Sequence, residues 1–249
     1  MLMAAMLPTA SYAFDASQIT KEEAGSTKIF EFFFNFRKDG KKDEAIQVLK
    51  FAAEQGNTAA QWKLARIYQT GDGVQKDPLA AFYMFQDIAR NYPFARPNTP
   101  SWQFSADALV ALGDYYRVGI NGTAIKPNES QASVMYTTAA MVFRHPDAQF
   151  ELGRMQLKNE KGFGQARKGI RNLGLAYEKG HTGAEALLGY SIFEGVHIDH
   201  EPVRGLIMLG KAKRRATQEE LEWILPLHDE AYALASPQNR ALAIQQLSE

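Results

Sequence analysis

Small and apolar residues recur along this chain in fixed columns. The pairs Leu64-Ala65, Leu112-Gly113, Leu152-Gly153 and Leu188-Gly189 are separated by 48, 40 and 36 residues. Four positions before each leucine stands an alanine: Ala60, Ala108, Ala148 and Ala184. Four positions after stand Tyr68, Tyr116, Gln156 and Ile192, and seven after stand Gly71, Gly119, Asn159 and Gly195. Residues i and i+4 share one face of an α-helix, so each set predicts an apolar stripe. Alanine admits a neighbouring helix closely and leucine fills the space beside it. A small residue after the leucine predicts a tight crossing, because glycine inside a helix costs about 1 kcal/mol against alanine. The glycine seven positions on falls where a helix C-cap takes a positive φ.

Each repeat then predicts a turn and a second helix. These run from Pro78 to near Arg90 with Asp77 as cap, from Asn128 or Glu129 to near Phe143, from near Gln165 to Lys179, and from Pro202 to near Arg215 with Glu201 a poorer cap. A less regular amino-terminal pair spans Ser26 to Lys38 and Asp43 to Gln55, with Ile29, Phe33 and Gly40 in the columns of Ala60, Leu64 and Gly71. Thr217-x-x-Glu220 is a capping box that opens a further helix, which Pro226 is expected to break or kink. Ser236-Pro237 caps a last helix ending near Leu247. Strand signals are nearly absent. The prediction is all-α: a right-handed α/α-solenoid of helix pairs with a helical carboxy-terminal cap. It is one domain over 14–249, with the divergent pair at 26–55, four repeat units over 56–215 and the cap over 216–249.

Composition narrows the chemistry. The 249 residues are 45% hydrophobic, enough for a folded core. Lys plus Arg and Asp plus Glu both number 28, which argues against a nucleic-acid binder working through a bulk field. The absence of cysteine excludes disulfides, Cys-zinc sites and thiol catalysis, and fits an oxidising compartment. No run of 18 apolar residues exists, so no integral membrane span is expected. Residues Met1 to Leu7 are apolar, and Ser11 and Ala13 suit a cut before Phe14. Residues 1–13 therefore read as the back half of an export signal.

Between Arg90 and Asp107 lies a Pro-rich insert, 91–106, whose Pro93, Pro97 and Pro100 forbid a helix continuing through it. Its aromatic side chains, with Phe94, Trp102 and Phe104 foremost, either fold back to plug the stack or meet a partner. On the amino-terminal helix Phe30, Phe33 and Phe34 share one face, and Phe32 and Phe36 lie on another. A helix apolar on two faces must be buried twice. Interface hot spots favour large aromatics and arginine. Phe32, Phe36, Arg96 and Trp102 are thus the partner-binding candidates. No phosphate loop, nucleophile elbow or zincin motif is present, so no catalytic residue, cofactor or metal is assigned. His197-x-x-His200 with Asp199 and Glu194 reads as a turn rather than a metal site, and Lys211, Lys213, Arg214 and Arg215 as a solvated helix end, with contact to an acidic partner or a membrane surface as the alternative.

The segment Leu64-Ala65-x-x-Tyr68-x-x-Gly71-x-Gly73-Val74-x-x-Asp77, led by Ala60 and followed by Ala80-Ala81 and Ala89, resembles the Sel-one-like repeat, a tetratricopeptide-related α/α repeat. The fourth unit matches through Ala184, Leu188-Gly189, Gly195, Val196 and Asp199. The second departs at Ile120-Asn121-Gly122, and the third most of all, with Gln156 and Asn159 in place of tyrosine and glycine. The resemblance covers about residues 45–215. Taken whole, with its phenylalanine-rich start from Ile29 to Phe34, the chain is also similar to the periplasmic exopolysaccharide regulators of rhizobia and related α-proteobacteria. That resemblance implies a periplasmic protein that binds and inhibits the sensing domain of a membrane sensor histidine kinase. It implies control of exopolysaccharide, motility and host association, and release linked to acid and to a periplasmic protease. Histidine titrates nearest such a pH, which makes His181 and His197 the candidates for an acid response, ahead of His145. Spacing by itself reaches only an exported helical adaptor, and the alternative is an envelope scaffold without a kinase partner.

Overall fold

The computed structural model describes residues 28–158 and 163–248. The export-signal reading of residues 1–13, the expected helix start at Ser26 and the turn position Asn159 lie outside the described residues. The chain packs as two compact units, one up to Ala108 and one from Leu109 onward. Helices alternate with short turns in both, and no strand occurs among the described residues. The fold is an all-α solenoid of helix pairs with a helical cap.

The first unit holds α1 (Lys28–Lys38), α2 (Lys42–Glu54), α3 (Thr58–Thr70), α4 (Pro78–Arg90), a 3-10 turn (Tyr92–Phe94) and the first half of α5 (Pro100–Val118). Its starts are built by side chains. Asn57 Oδ1 accepts the Ala60 amide at 3.0 Å, and Asp77 Oδ1 accepts that of Ala80 at 2.9 Å. Each replaces a bond the first helical turn lacks, worth about 1 kcal/mol. Gly71 ends α3 at φ 79°, a conformation costly for a residue with Cβ. The core gathers Ile29, Phe33, Leu49, Leu64 and Ile67, all essentially sealed from solvent. Burial of each such side chain contributes about 1.5–3 kcal/mol. Phe34 departs from the expected face: it is 59% exposed, because only Ile29 and Phe33 point squarely at α2 and α3.

The second unit holds the rest of α5, then α6 (Glu129–Val142), α7 (Pro146–Lys158), α8 (Phe163–Tyr177), α9 (Thr182–Glu194), α10 (Pro202–Arg215), α11 (Gln218–Leu234) and α12 (Pro237–Ser248). Asn128 caps α6 and His181 caps α9. Glu201 makes no cap bond, because its carboxylate is held by Arg204 at 2.9 Å. The Thr217–Glu220 capping box forms, with both reciprocal bonds in place. Leu173, Leu188, Ile192 and Met208 fill the repeat core, and Leu206, Leu209, Ile224 and Ala231 seal the cap against it.

The turns share one closure. The cap amide of the second helix donates to a carbonyl in the column four residues after the leucine: Asp77 to Tyr68 at 2.9 Å, Asn128 to Tyr116 at 2.6 Å and Glu201 to Ile192 at 3.1 Å. This column is therefore read through its backbone, which is why tyrosine and isoleucine both serve there.

Two expectations are corrected. The insert is only partly irregular, since α5 begins at Pro100. A proline at a helix's first position gives up an amide that the helix does not use, so Trp102 and Phe104 ride on the opening turns of α5. Of the break or kink expected at Pro226, the break does not occur, since α11 runs through it to Leu234. Glu222, whose carbonyl loses its donor to Pro226, is exposed, as is Pro226 itself, so water can satisfy the freed group.

Candidate functional site

The columns that organise the sequence are buried. Ala60, Ala108, Ala148 and Ala184 are fully sealed, and Leu64, Leu112, Leu152 and Leu188 nearly so. A Cβ on Gly113 would stand 2.4 Å from the Tyr136 ring, and one on Gly153 would stand 3.0 Å from the Gly169 carbonyl. The second helices carry a matching small column, of which the motif in the sequence includes only Ala81: Ala81, Ala132, Gly169 and Gly205. The signal was available as a constant interval of sixteen residues from Ala65 to Ala81, Gly153 to Gly169 and Gly189 to Gly205.

The partner-binding candidates all lie in the first unit. Phe32 and Phe36 are half-buried at the edge of the α1–α2–α3 core. The Lys41 ammonium lies 5.9 Å from the Phe36 ring centre. Arg96 is exposed, and its carbonyl accepts the Thr99 hydroxyl at 2.6 Å, which tightens the turn before α5. Trp102 is half-buried. Of the insert aromatics, Phe104 turns inward onto Trp62 of α3 at 5.3 Å between ring centres, whereas Phe94 is 85% exposed.

His181 occupies a built environment in the second unit. Its Nδ1 accepts the Ala184 amide at 3.1 Å, so it serves α9 as Asn57 serves α3. Nε2 lies 3.6 Å from Asp147 Oδ1. The imidazole stacks on Phe150 at 4.4 Å, and Phe150 in turn stacks on Trp223 of α11 at 6.1 Å. Burial pushes the His181 pKa below its ordinary value, and the carboxylates of Asp147, Glu220 and Glu151 only partly oppose this. His197 differs: it is exposed in the turn after α9, at φ 65°. His145 precedes α7, and its carbonyl accepts the Gln149 amide at 3.0 Å.

Two polar constructions were not legible as such. The Tyr136 hydroxyl donates to Asp114 Oδ1 at 2.7 Å. Arg117 lies 3.7 Å from that carboxylate and 3.9 Å from Glu151, which also accepts from Arg154 at 2.5 Å. The chain of contacts ties α5, α6 and α7 together. Burial and the adjacent Asp114 carboxylate raise the Tyr136 pKa, so the phenol remains a donor. In α9 the Glu185 side chain is only 3% exposed and is paired with Arg215 at the end of α10. Burial raises its pKa and the guanidinium opposes the rise. A carboxylate four positions before Gly189, on the crossing face, is the sequence cue that was passed over.

Among the described residues no group of three or more His, Asp or Glu side chains is placed to hold a metal ion, and His197 and His200 form no such centre. No described helix is long and apolar enough to cross a membrane. The polar contacts described above, Tyr136–Asp114, Arg117–Glu151 and Glu185–Arg215, join one helix to another.

Known proteins share this pattern. The model of the Sel1 repeat matches residues 58–91, 106–141, 146–181 and 167–215. An exopolysaccharide production negative regulator of Rhizobium meliloti (strain 1021) is 34% identical over 232 residues, which cover 93% of this chain and 84% of the relative. The exopolysaccharide production negative regulator of Rhizobium leguminosarum bv. viciae is 33% identical over 232 residues, 93% of this chain and 85% of its own length. Among solved structures, a Sel1 repeat protein from Oxalobacter formigenes aligns with a TM-score of 0.62 at 20% identity, over 92% of this chain and 88% of that one. This last likeness concerns the fold alone.

Proposed function

The chain belongs to the Sel1 repeat family, and on that premise we propose that it is a negative regulator of exopolysaccharide production that acts in the periplasm by binding another protein. The observation that carries this reading is the similarity to two exopolysaccharide production negative regulators along 93% of the chain, which spans the repeats and the cap together. The partner in this reading is the periplasmic sensing domain of a membrane sensor histidine kinase. Binding holds the kinase inactive, which restrains exopolysaccharide and sets motility and host association. Acid or a periplasmic protease releases it. Stacked helix pairs suit this role, because each pair presents exposed helix faces to a partner without needing catalytic groups. Removal of the gene should raise exopolysaccharide output, and the purified chain should co-migrate with the kinase sensing domain and lower autophosphorylation of the full kinase. Unchanged exopolysaccharide would overturn the regulator. Raised exopolysaccharide on removal of the gene, with no binding to the sensing domain, would leave the regulator and remove the kinase.

A further inference from the structure

Charge is segregated in the second unit although the whole chain is neutral. The second helices α8 and α10 carry Arg167, Lys168, Arg171, Arg204, Lys211, Lys213, Arg214 and Arg215 and not one Asp or Glu. Of their partners, α9 holds Glu185 and Glu194 and no Lys or Arg, whereas α7 holds Asp147 and Glu151 beside Arg154 and Lys158. The carboxy-terminal ends of α8 and α10 meet at a cavity of about 420 Å³ lined by Tyr177, Gly180, Glu185, Lys211, Arg214 and Arg215.

Three cations therefore face one carboxylate, and that carboxylate is already engaged. Glu185 is buried and held by Arg215. Arg214 gives one N–H to the Leu247 carbonyl of the cap at 2.7 Å and keeps the rest of its donor fork. Lys211 is exposed and makes no hydrogen bond or ion pair among the described residues. Lys211, Arg214 and Arg215 stand at i, i+3 and i+4, one face of the helix. The C-terminal dipole of a helix amounts to about half a charge, so it does not balance this excess.

We propose that this cavity is a docking site for an acidic segment of a partner protein, with its Asp or Glu carboxylates received by Lys211 and Arg214. Its composition favours that occupant. Tyrosine and arginine are the side chains enriched where proteins meet, and Tyr177 stands at the rim beside Gly180, which adds no side chain to block approach. A membrane surface would require apolar anchors among the cations, and the positions of α8 and α10 whose exposure is described offer none beyond Tyr177. The surface deepens the reading above, that the chain works by binding a protein, by giving the chemistry of the contact.

The test titrates the whole protein with a capped Glu-rich peptide and with its Gln-for-Glu counterpart. The Glu peptide should bind, weaken with added salt, and lose about tenfold in affinity to Lys211→Glu and to Arg214→Gln. Arg204→Gln, on the first turn of α10, should leave binding unchanged. Lys211→Glu breaks no hydrogen bond or ion pair but sets a like charge near the buried Glu185, so Lys211→Gln is titrated beside it, and an unaltered thermal midpoint of the Gln variant keeps the result interpretable. Binding of both peptides alike, binding indifferent to Lys211→Glu, or no binding of the Glu peptide overturns the proposal. So does stronger binding to phosphatidylglycerol vesicles or to a polyuronate. The kinase sensing domain, titrated in parallel, separates the two readings. If it binds parent and Lys211→Glu equally, the cavity is not the contact and the regulator stands. If it binds neither while the Glu peptide binds the parent, the cavity stands and the kinase falls.

Discussion

Gly205 of α10 faces the backbone of Gly189 in α9 so closely that a Cβ at position 205 would lie 2.6 Å from the Gly189 carbonyl oxygen. The same Cβ would lie 2.7 Å from the Phe193 backbone nitrogen, and backbone cannot move aside as a flexible side chain can. Gly205→Ala should therefore force the helices apart and cost about 1–3 kcal/mol, despite alanine's better helix propensity. Gly174 in α8 is the internal contrast, because nothing lies within 4 Å of its Cβ position. Gly174→Ala should stabilise by about 0.5–1 kcal/mol. Urea unfolding of both variants checks the pair, and equal effects of one sign would remove the crossing argument.

Legibility in the sequence followed how locally each feature is encoded. Ala60, Leu64 and Gly71 announce a helix, its buried face and its end within twelve residues, and α3 follows them. The cap at Asp77 and the capping box at Thr217 are likewise short-range and form as read. Pro100 misled because the same residue that stops one helix is well suited to start another. Glu185 and Arg215 lie thirty residues apart, and the Tyr136–Asp114 bond spans twenty-two. Such pairs are created by the stacking of repeats, so no local pattern records them. His181 is legible as a titratable side chain and its cap bond to Ala184 is local, whereas its stack on Phe150 depends on α7 and α9 meeting.

Removal of Arg215 should expose the cost of burying Glu185. The carboxylate is 3% exposed and the guanidinium 49%, so water already screens one side of the pair. Arg215→Ala should cost about 1–3 kcal/mol at pH 7.5, less than a fully buried pair would lose. The folded-state pKa of Glu185 lies above its ordinary value of 4.5, so between the two values the folded chain binds more protons than the unfolded one. The loss should therefore shrink as pH falls from 7.5 toward 5, and Glu185→Gln in the same background should recover part of it. Urea midpoints at the two pH values provide the check.

Trp62 carries a buried Nε1 with no hydrogen-bond partner, while its ring packs on Phe104. An unpaired buried donor costs about 1–3 kcal/mol. Trp62→Phe removes that donor and keeps an aromatic ring, so it should change stability by less than about 1 kcal/mol. Trp62→Ala removes both, and should cost about 2–4 kcal/mol. Equal losses for Phe and Ala would mean that the indole nitrogen does have a partner in solution.

His181 makes the stability of α9 sensitive to acid. Its Nδ1 must be unprotonated to accept the Ala184 amide, and burial against Phe150 lowers its pKa below the ordinary 6.5. The unfolded chain therefore binds the proton more readily. The contribution of His181 is complete above pH 6.5 and is lost as pH falls through that value toward the lower folded pKa. Asp147, Glu220 and Glu151 face the ring and moderate the shift without reversing it. Asn57 shows which side chain performs the same capping without titrating there. His181→Asn should match the parent at pH 7.5 to within about 1 kcal/mol, the usual worth of a cap, and should resist the loss the parent suffers between pH 6.5 and 5.5. Chemical denaturation of both proteins across that range decides the matter. A parent-like acid loss in His181→Asn would place the sensitivity in other groups, and would leave any acid-linked release of a partner to carboxylates or to proteolysis.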